Sequence, residues 1–233
     1  MRAFVLFILG SVMIVASPSQ AQQQKYVGFV LGANFANESL DSLPDGIPSH
    51  RTGILAGLQI ERWFSPQWGL GMQIIYAQEG RNEDLNGPGR GIFYGFARKG
   101  SVNIEANYLD VPSFLKKTIF ENNVVHTYAF AGPVVGFFLS GSVHQNILIS
   151  GPGITSFEND TTFALPASSL DFSVLFGLGV SVKLDSGQML FLDASYWYGL
   201  TNIFESYGGA TYTRDLRLTA GILFPIHLPS LLF

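Results

Sequence analysis

From Leu170 to Leu184 every even position is apolar, while the odd positions are mostly Asp, Ser, Gly or Lys. A pleated strand sends successive side chains to opposite faces, so this segment has one oily face and one polar or small face. The run is longer than the about five or six residues of an average globular strand. It reaches the roughly 9 to 11 residues that a tilted strand needs to cross a bilayer.

The pattern recurs. Leu216, Leu218, Ala220, Ile222, Phe224 and Ile226 alternate with Asp215, Arg217, Thr219 and Gly221 in Arg214 to Ile226. Ile54, Ala56, Leu58 and Ile60 alternate with Gly53, Gly57, Gln59 and Glu61 in Arg51 to Trp63. Weaker copies lie at Lys25 to Ala36, Trp68 to Gly80, Asn107 to Ile119 and Gln188 to Thr201. In the last two, Asp110 and Asp193 must take the polar side. The eighth segment, Val124 to Ser140, is apolar at both parities, so alternation assigns it no faces.

The links between these eight segments alternate in length. Asn37 to His50, Arg81 to Val102, Gly141 to Ser169 and Asn202 to Thr213 are long. Phe64 to Gln67, Phe120 to Asn123 and Asp185 to Gly187 are short. In an antiparallel up-and-down sheet, all long links emerge at one end. That asymmetry predicts an all-β fold: an eight-stranded antiparallel up-and-down transmembrane β-barrel with short periplasmic turns and long extracellular loops.

Composition separates the remaining classes. Of 233 residues, 47% are hydrophobic and only 13% are charged, about half the charge of a soluble domain. The alternative is a soluble exported eight-stranded barrel holding an apolar ligand, with the oily face turned inward. Glycines on the polar face favour lipid outside, because small residues suit the crowded inside of a narrow barrel. Aromatics at segment ends agree: Trp63, Phe64 and Trp68 near a short turn, and Tyr196, Trp197 and Tyr198 near the last loop, are expected to form interfacial girdles. A helical membrane protein is excluded, since the longest later apolar run, Tyr128 to Leu139, is broken by Gly132, Pro133 and Gly136.

Residues 1–21 read as a signal peptide. Arg2 precedes the apolar run Phe4 to Ala16, and Ser19-Gln20-Ala21 offers a small-x-small cleavage site. The expected organisation is therefore a signal peptide over 1–21, cut after Ala21, and an outer-membrane barrel domain over 22–233. A net charge of −4 argues against nucleic acid as a partner.

On the inner face parity places Glu61, Asp110, Lys116, Asp171, Lys183, Asp193 and Arg217, joined by Arg51, Gln59, Gln73, Glu79 and Asp215. Both signs are present. A paired, side-chain-filled interior is expected, with no open channel. Outside, Arg90, Phe93, Tyr94, Phe96, Arg98 and Lys99 in the second long loop mix cations with rings, a surface-contact stretch suited to a glycan or lipid phosphate.

No Cys is present, and His50, His126, His144 and His227 lack metal-ligand spacing. His50 or His144, with Asp45 or Asp160, would be the base and orienter of a loop-sited hydrolase. Ordinary loop residues are the plainer reading, since no nucleophile elbow accompanies them. Gly87-Pro88-Gly89 and Gly151-Pro152-Gly153 read as turn punctuation. No catalytic residue, cofactor or metal site is expected, and the chain reads as a non-enzyme.

Asn107-Tyr108-Leu109-Asp110-Val111-Pro112, Ala131-Gly132-Pro133, Asp171-Phe172 leading to Gly177-Leu178-Gly179-Val180, and Tyr198-Gly199-Leu200-Thr201-Asn202-Ile203 resemble the PorT-type outer-membrane β-barrel family in order and spacing. The resemblance implies an eight-stranded barrel in the outer membrane of a Gram-negative cell. It also implies a role near a secretion or envelope assembly. The expected partners are outer-membrane lipid and, through the cation-and-ring stretch, an envelope protein or surface glycan. Thr219-x-Gly221-x-x-Phe224-x-Ile226 resembles the terminal-strand signal read by the barrel-assembly machinery during biogenesis. Pro225, Pro229 and the tail 227–233 depart from that pattern.

Overall fold

The computed structural model describes residues 24–36, 39–40, 46–88, 97–151, 154–165, 167–202 and 211–226. The expected signal peptide and the tail 227–233 lie outside them. The strands are β1 (Gln24–Ala36), β2 (Ser39–Leu40), β3 (Gly46–Trp63), β4 (Trp68–Pro88), β5 (Ala97–Glu121), β6 (Val125–Gly151), β7 (Ile154–Ala164), β8 (Leu170–Lys183), β9 (Met189–Gly199), β10 (Thr211–Tyr212) and β11 (Arg214–Pro225). Among the described residues, no helix is long and apolar enough to cross a membrane.

Eight strands close a ring in the order β1, β3, β4, β5, β6, β8, β9, β11 and back to β1, every pair antiparallel. Closure is made by β1 and β11, which pair from Tyr26↔Pro225 to Ala36↔Asp215. A closed ring leaves no backbone edge in hydrocarbon. The two short strands β2 and β10 pair with each other at the loop end.

Parity decides which face meets lipid. On β11, Leu216, Leu218, Ala220 and Phe224 are exposed, whereas Asp215, Arg217, Thr219 and Leu223 are buried. Leu31 is 65% exposed and Arg217 1%. β1, β3 and β9 show the same alternation. The oily stripe points outward, as in a membrane barrel and opposite to a soluble one.

β6 resolves as Tyr128, Phe130 and Val134 inward and Ala131, Pro133, Phe137 and Leu139 outward. Its inner face is apolar too, which is why alternation was silent there. The register with β5 shifts between Tyr108↔Phe138 and Asn107↔Ser140, inserting Leu139 as an extra residue. Such a bulge reverses parity. Beyond it Val143 and Ile147 are the buried positions.

The lengths of the links differ from the sequence expectation. Residues 81–88 and 97–102 continue β4 and β5, and 141–151 with 154–164 form the β6–β7 hairpin, so much of the second and third long links is strand. Residues 46–50 of β3 pair with 81–85. A β3-β4-β5-β6-β7 sheet thus projects past the ends of β1, β9 and β11. Polar residues at both parities of these stretches hid them, because period-two patterning is informative only where one face is buried. Gly80 sits opposite the β3 register shift between His50 and Leu55, with φ +127°, a conformation that L side chains rarely adopt.

At the turn end the links are tight. Ser65 Oγ accepts the Trp68 amide at 3.0 Å, and Asn122 Oδ1 accepts the Val124 and Val125 amides at 2.9 and 2.7 Å. Side chains that mimic a backbone acceptor stabilise such turns.

The facing predicts a contrast between neighbours. Leu218→Arg places a cation in hydrocarbon at a cost of roughly 2 to 4 kcal/mol and should abolish heat-modifiable migration after insertion into vesicles. Thr219→Ser, facing the interior, should preserve it. Equal sensitivity at the two positions would refute the assignment.

Candidate functional site: the bridged barrel interior

Two polar clusters cross the lumen at different heights. Nearer the loop end, Arg217 on β11 reaches over to β4 and β5. Its Nη1 donates to Asp110 Oδ2 at 2.7 Å, and its Nη2 to Glu79 and, at 3.3 Å, to Asp215 Oδ2. The guanidinium also lies 3.5 Å from the centroid of the Trp197 ring. Asn34 Nδ2 donates to Asp215 Oδ2 at 3.1 Å, tying β1 to the same group. A planar guanidinium presents five donors, so one Arg can hold carboxylates from three strands.

Asp171 borders this cluster. It accepts from Ser173 Oγ at 3.0 Å, Thr201 Oγ1 at 2.5 Å and Thr213 Oγ1 at 3.3 Å. Three hydroxyl donors from β8, the β9 exit and the β11 entry stabilise its charge and pin the strand ends together.

Nearer the turn end, Lys116 on β5 meets Glu61 on β3 with Nζ to Oε2 at 2.6 Å, both side chains 1% exposed. Glu61 also accepts from Gln59 Nε2 at 2.9 Å and from the Trp63 indole N–H. Gln73 on β4 donates to Gln59 Oε1 at 2.6 Å, extending the chain. The ammonium lies 4.1 Å from the centroid of the Tyr128 ring, whose hydroxyl donates to Asp193 Oδ1 at 2.6 Å. Buried charges persist when paired and hydrogen-bonded in this way.

Aromatic rings fill the lumen around the clusters, and five of them lie over a glycine directly across the ladder. Trp63 faces Gly69, Phe114 faces Gly71, Phe130 faces Gly177, Tyr128 faces Gly179, and Phe191 faces Gly221. A Cβ at any of these glycines would overlap its ring. A narrow barrel has no room for a large side chain on both members of a rung, so ring and glycine share it. The void left between the clusters, lined by Gln73, Ile75, Phe114 and Thr219 among others, measures about 10 Å³, room for one water at most.

The structure places the sequence-predicted residues as follows. Glu61, Asp110, Lys116, Asp171, Asp193 and Arg217 are buried in the interior, together with Gln59, Gln73, Glu79 and Asp215. Lys183 is not: it has inner parity but ends β8, where it is exposed at the mouth of a vestibule of about 670 Å³ also lined by Tyr26, Trp63 and His126. At a strand end parity no longer implies enclosure. Arg51 is half-buried and pairs with Glu105 at 2.7 Å on the loop side.

The girdle expectation needs a correction as well. Phe64 and Tyr198 are exposed and Trp68 and Tyr196 half-buried, but Trp63 and Trp197 turn inward to Glu61 and Arg217. Their indole N–H groups find acceptors inside, Trp197 on Ser195 Oγ at 3.0 Å. Sequence reasoning missed this role, though parity alone placed both with the inner set.

Arg90, Phe93, Tyr94 and Phe96 lie outside the described residues. Arg98 and Lys99 belong to β5, pairing with Ile149 and Leu148, and Lys99 is exposed. Asp45 is likewise outside the description, and His50 is described only as part of β3. His144 Nδ1 lies 2.9 Å from Thr162 Oγ1 and 3.6 Å from Asp160 Oδ1, an exposed contact across the β6–β7 hairpin.

The buried pair gives a test. Glu61→Gln strands the Lys116 charge and should lower unfolding free energy in vesicles by about 3 to 5 kcal/mol. Adding Lys116→Met to that variant should restore most of the loss. A single variant as stable as the parent would show that the pair is not enclosed.

In comparisons with known proteins, no curated protein matches the chain. Among solved structures, it is similar to Ail, the attachment invasion locus protein of Yersinia pestis in complex with the heparin analogue sucrose octasulfate, at 15% identity and TM-score 0.39, covering 86% of this chain and 99% of that one. It is similar to OprG from Pseudomonas aeruginosa at 14% identity and TM-score 0.44, covering 88% and 96%. A major outer membrane protein from Thermus thermophilus is similar at 12% identity and TM-score 0.45, covering 87% and 99%. The family model of the outer membrane protein beta-barrel domain matches residues 19–205. With well over half its length matched, the chain belongs to the outer membrane protein beta-barrel domain family and resides in the outer membrane.

Proposed function

We propose that this barrel is a non-enzymatic, non-conducting membrane mount that holds a rigid β-sheet outside the cell for contact with an envelope protein or surface glycan. The observation that carries the reading is the combination of a lumen crossed twice by enclosed ion pairs with a sheet built from β3, β4, β5, β6 and β7 beyond the barrel. A pore would need a continuous polar path, and the space between the clusters holds at most one water. A display device needs stiffness. β4, β5 and β6 run uninterrupted from membrane to projection, and Ala106, Tyr108, Val143 and Leu165 form an apolar cluster at its base.

The described residues available for contact are mostly polar, with Phe163 on β7 an exposed ring among them. Lys99, Glu105, His144, Glu158 and Asp160 are exposed on the projecting strands. In this reading Arg90, Phe93, Tyr94, Phe96, Arg98 and Lys99 supply the cations and rings for that contact. We further infer that residues 1–21 direct export and are removed, and that the barrel-assembly machinery inserts the chain. The PorT-type motifs support a role beside a secretion or envelope assembly.

The natural absence of Cys makes topology directly testable. Thr161→Cys on β7 should react with a membrane-impermeant maleimide in intact cells. Ser186→Cys in the opposite turn should react only after the outer membrane is permeabilised. Reversed labelling, or stepwise conductance of the purified barrel in planar bilayers, would overturn the reading.

A further inference from the structure

We propose that the outer wall of the barrel carries a specific site for one phospholipid, with an acyl chain seated along β6 and the anionic headgroup held by Lys117. On this wall two successive rungs read large, small, large. Leu115 on β5, Ala131 on β6 and Phe176 on β8 form one; Lys117, Ala129 and Leu178 form the next. Leu115, Phe176 and Leu178 stand 43%, 53% and 61% exposed as ridges. The open groove between them, floored by Gly177 and the inward-facing Phe130, has a volume of about 420 Å³.

The dimensions suit a hydrocarbon chain. The ridge strands β5 and β8 lie two strand spacings apart, about 10 Å between backbones, and their side chains narrow that gap to one acyl chain. On the neighbouring wall such a gap is closed. Ala194 on β9 is also flanked by leucines, Leu178 and Leu218. Leu192 and Tyr196 stand above and below it on the same strand face, so it forms a dimple rather than a track.

Charge fixes the polarity of the occupant. Trp68 is the first residue of β4 after the turn, and Lys117 pairs with it across the ladder, its Nζ 5.4 Å from the indole ring centroid. An aromatic and a cation at this height mark the headgroup level. Leu115 and Ala131 lie one pleat repeat, about 7 Å, deeper along the strands. A lipid with its phosphate at the Lys117 ammonium therefore lays its chain into the groove. The ridges are fixed by the ladder, so the site needs no rearrangement to fill.

The test uses the full-length barrel, inserted in vesicles of equimolar phosphatidylglycerol and phosphatidylethanolamine, released in mild detergent and weighed by native mass spectrometry. The parent should retain one phosphatidylglycerol. Ala131→Leu, which fills the groove, should lose it, and Phe176→Ala, which removes a ridge, should weaken retention. Lys117→Gln should reduce the preference for phosphatidylglycerol about fivefold, the effect of one cation at a membrane surface. Ala194→Leu, an equal addition on the neighbouring wall, should change nothing. Heat-modifiable migration verifies that each variant is folded. Retention unchanged in Ala131→Leu, equal loss in Ala194→Leu, or an unaltered lipid preference in Lys117→Gln would overturn the proposal.

Discussion

Hydrocarbon offers backbone amides no partner, so a spanning sheet must close on itself. Here the closure is the β1–β11 ladder, from Tyr26↔Pro225 to Ala36↔Asp215. Everything else follows from having an inside and an outside separated by a single strand's thickness. Side chains at one parity meet lipid; those at the other must share a narrow cylinder. Arg217 cannot face outward without placing a charge in the bilayer, and it cannot face inward without partners. Asp110, Glu79 and Asp215 supply them from three strands.

The interior solves a packing problem and an electrostatic one with the same residues. Five inward rings lie over glycines across the ladder, so bulk is provided there without collision. Aromatic rings also lower the cost of enclosing cations: Trp197 stacks on Arg217, and Tyr128, one of the rings over a glycine, lies beside Lys116. Tyr128 adds a hydrogen bond to Asp193, which links the lower cluster to β9. Neither cluster is an isolated salt bridge. Each joins at least three strands, so each also resists sliding of the register that parity requires.

How much of this was legible in the sequence depends on where one face was distinct from the other. Along Leu170–Lys183 and Arg214–Pro225, alternation between oil and polarity gave strand, span and facing together, because lipid imposes period two. The same parity located Glu61, Asp110, Lys116 and Arg217 but not who pairs with whom, since contacts such as Arg217 with Glu79 and Asp110 cross the lumen between residues far apart in sequence. Val124 to Ser140 was unreadable because Tyr128, Phe130 and Val134 make its inner face apolar as well. The in-register glycines Gly179 and Gly177 opposite those rings are the signal that would have resolved it. Trp63 and Trp197 looked interfacial from their nearness to links, yet their parity put them inside. The projecting parts of β4 to β7 were invisible because polar residues occupy both of their parities. Position at the strand end, not parity, released Lys183 to solvent.

The oily stripe meets acyl chains while the charged stripe encloses the axis. A spin-label scan of β11 tests this facing most directly: single Cys substitutions at each position from Asp215 to Leu223, read for oxygen accessibility in lipid vesicles. Accessibility should peak at positions 216, 218, 220 and 222 and fall to minima at 215, 217, 219, 221 and 223. Maxima on the odd positions, or accessibility repeating every three to four residues, would contradict this facing.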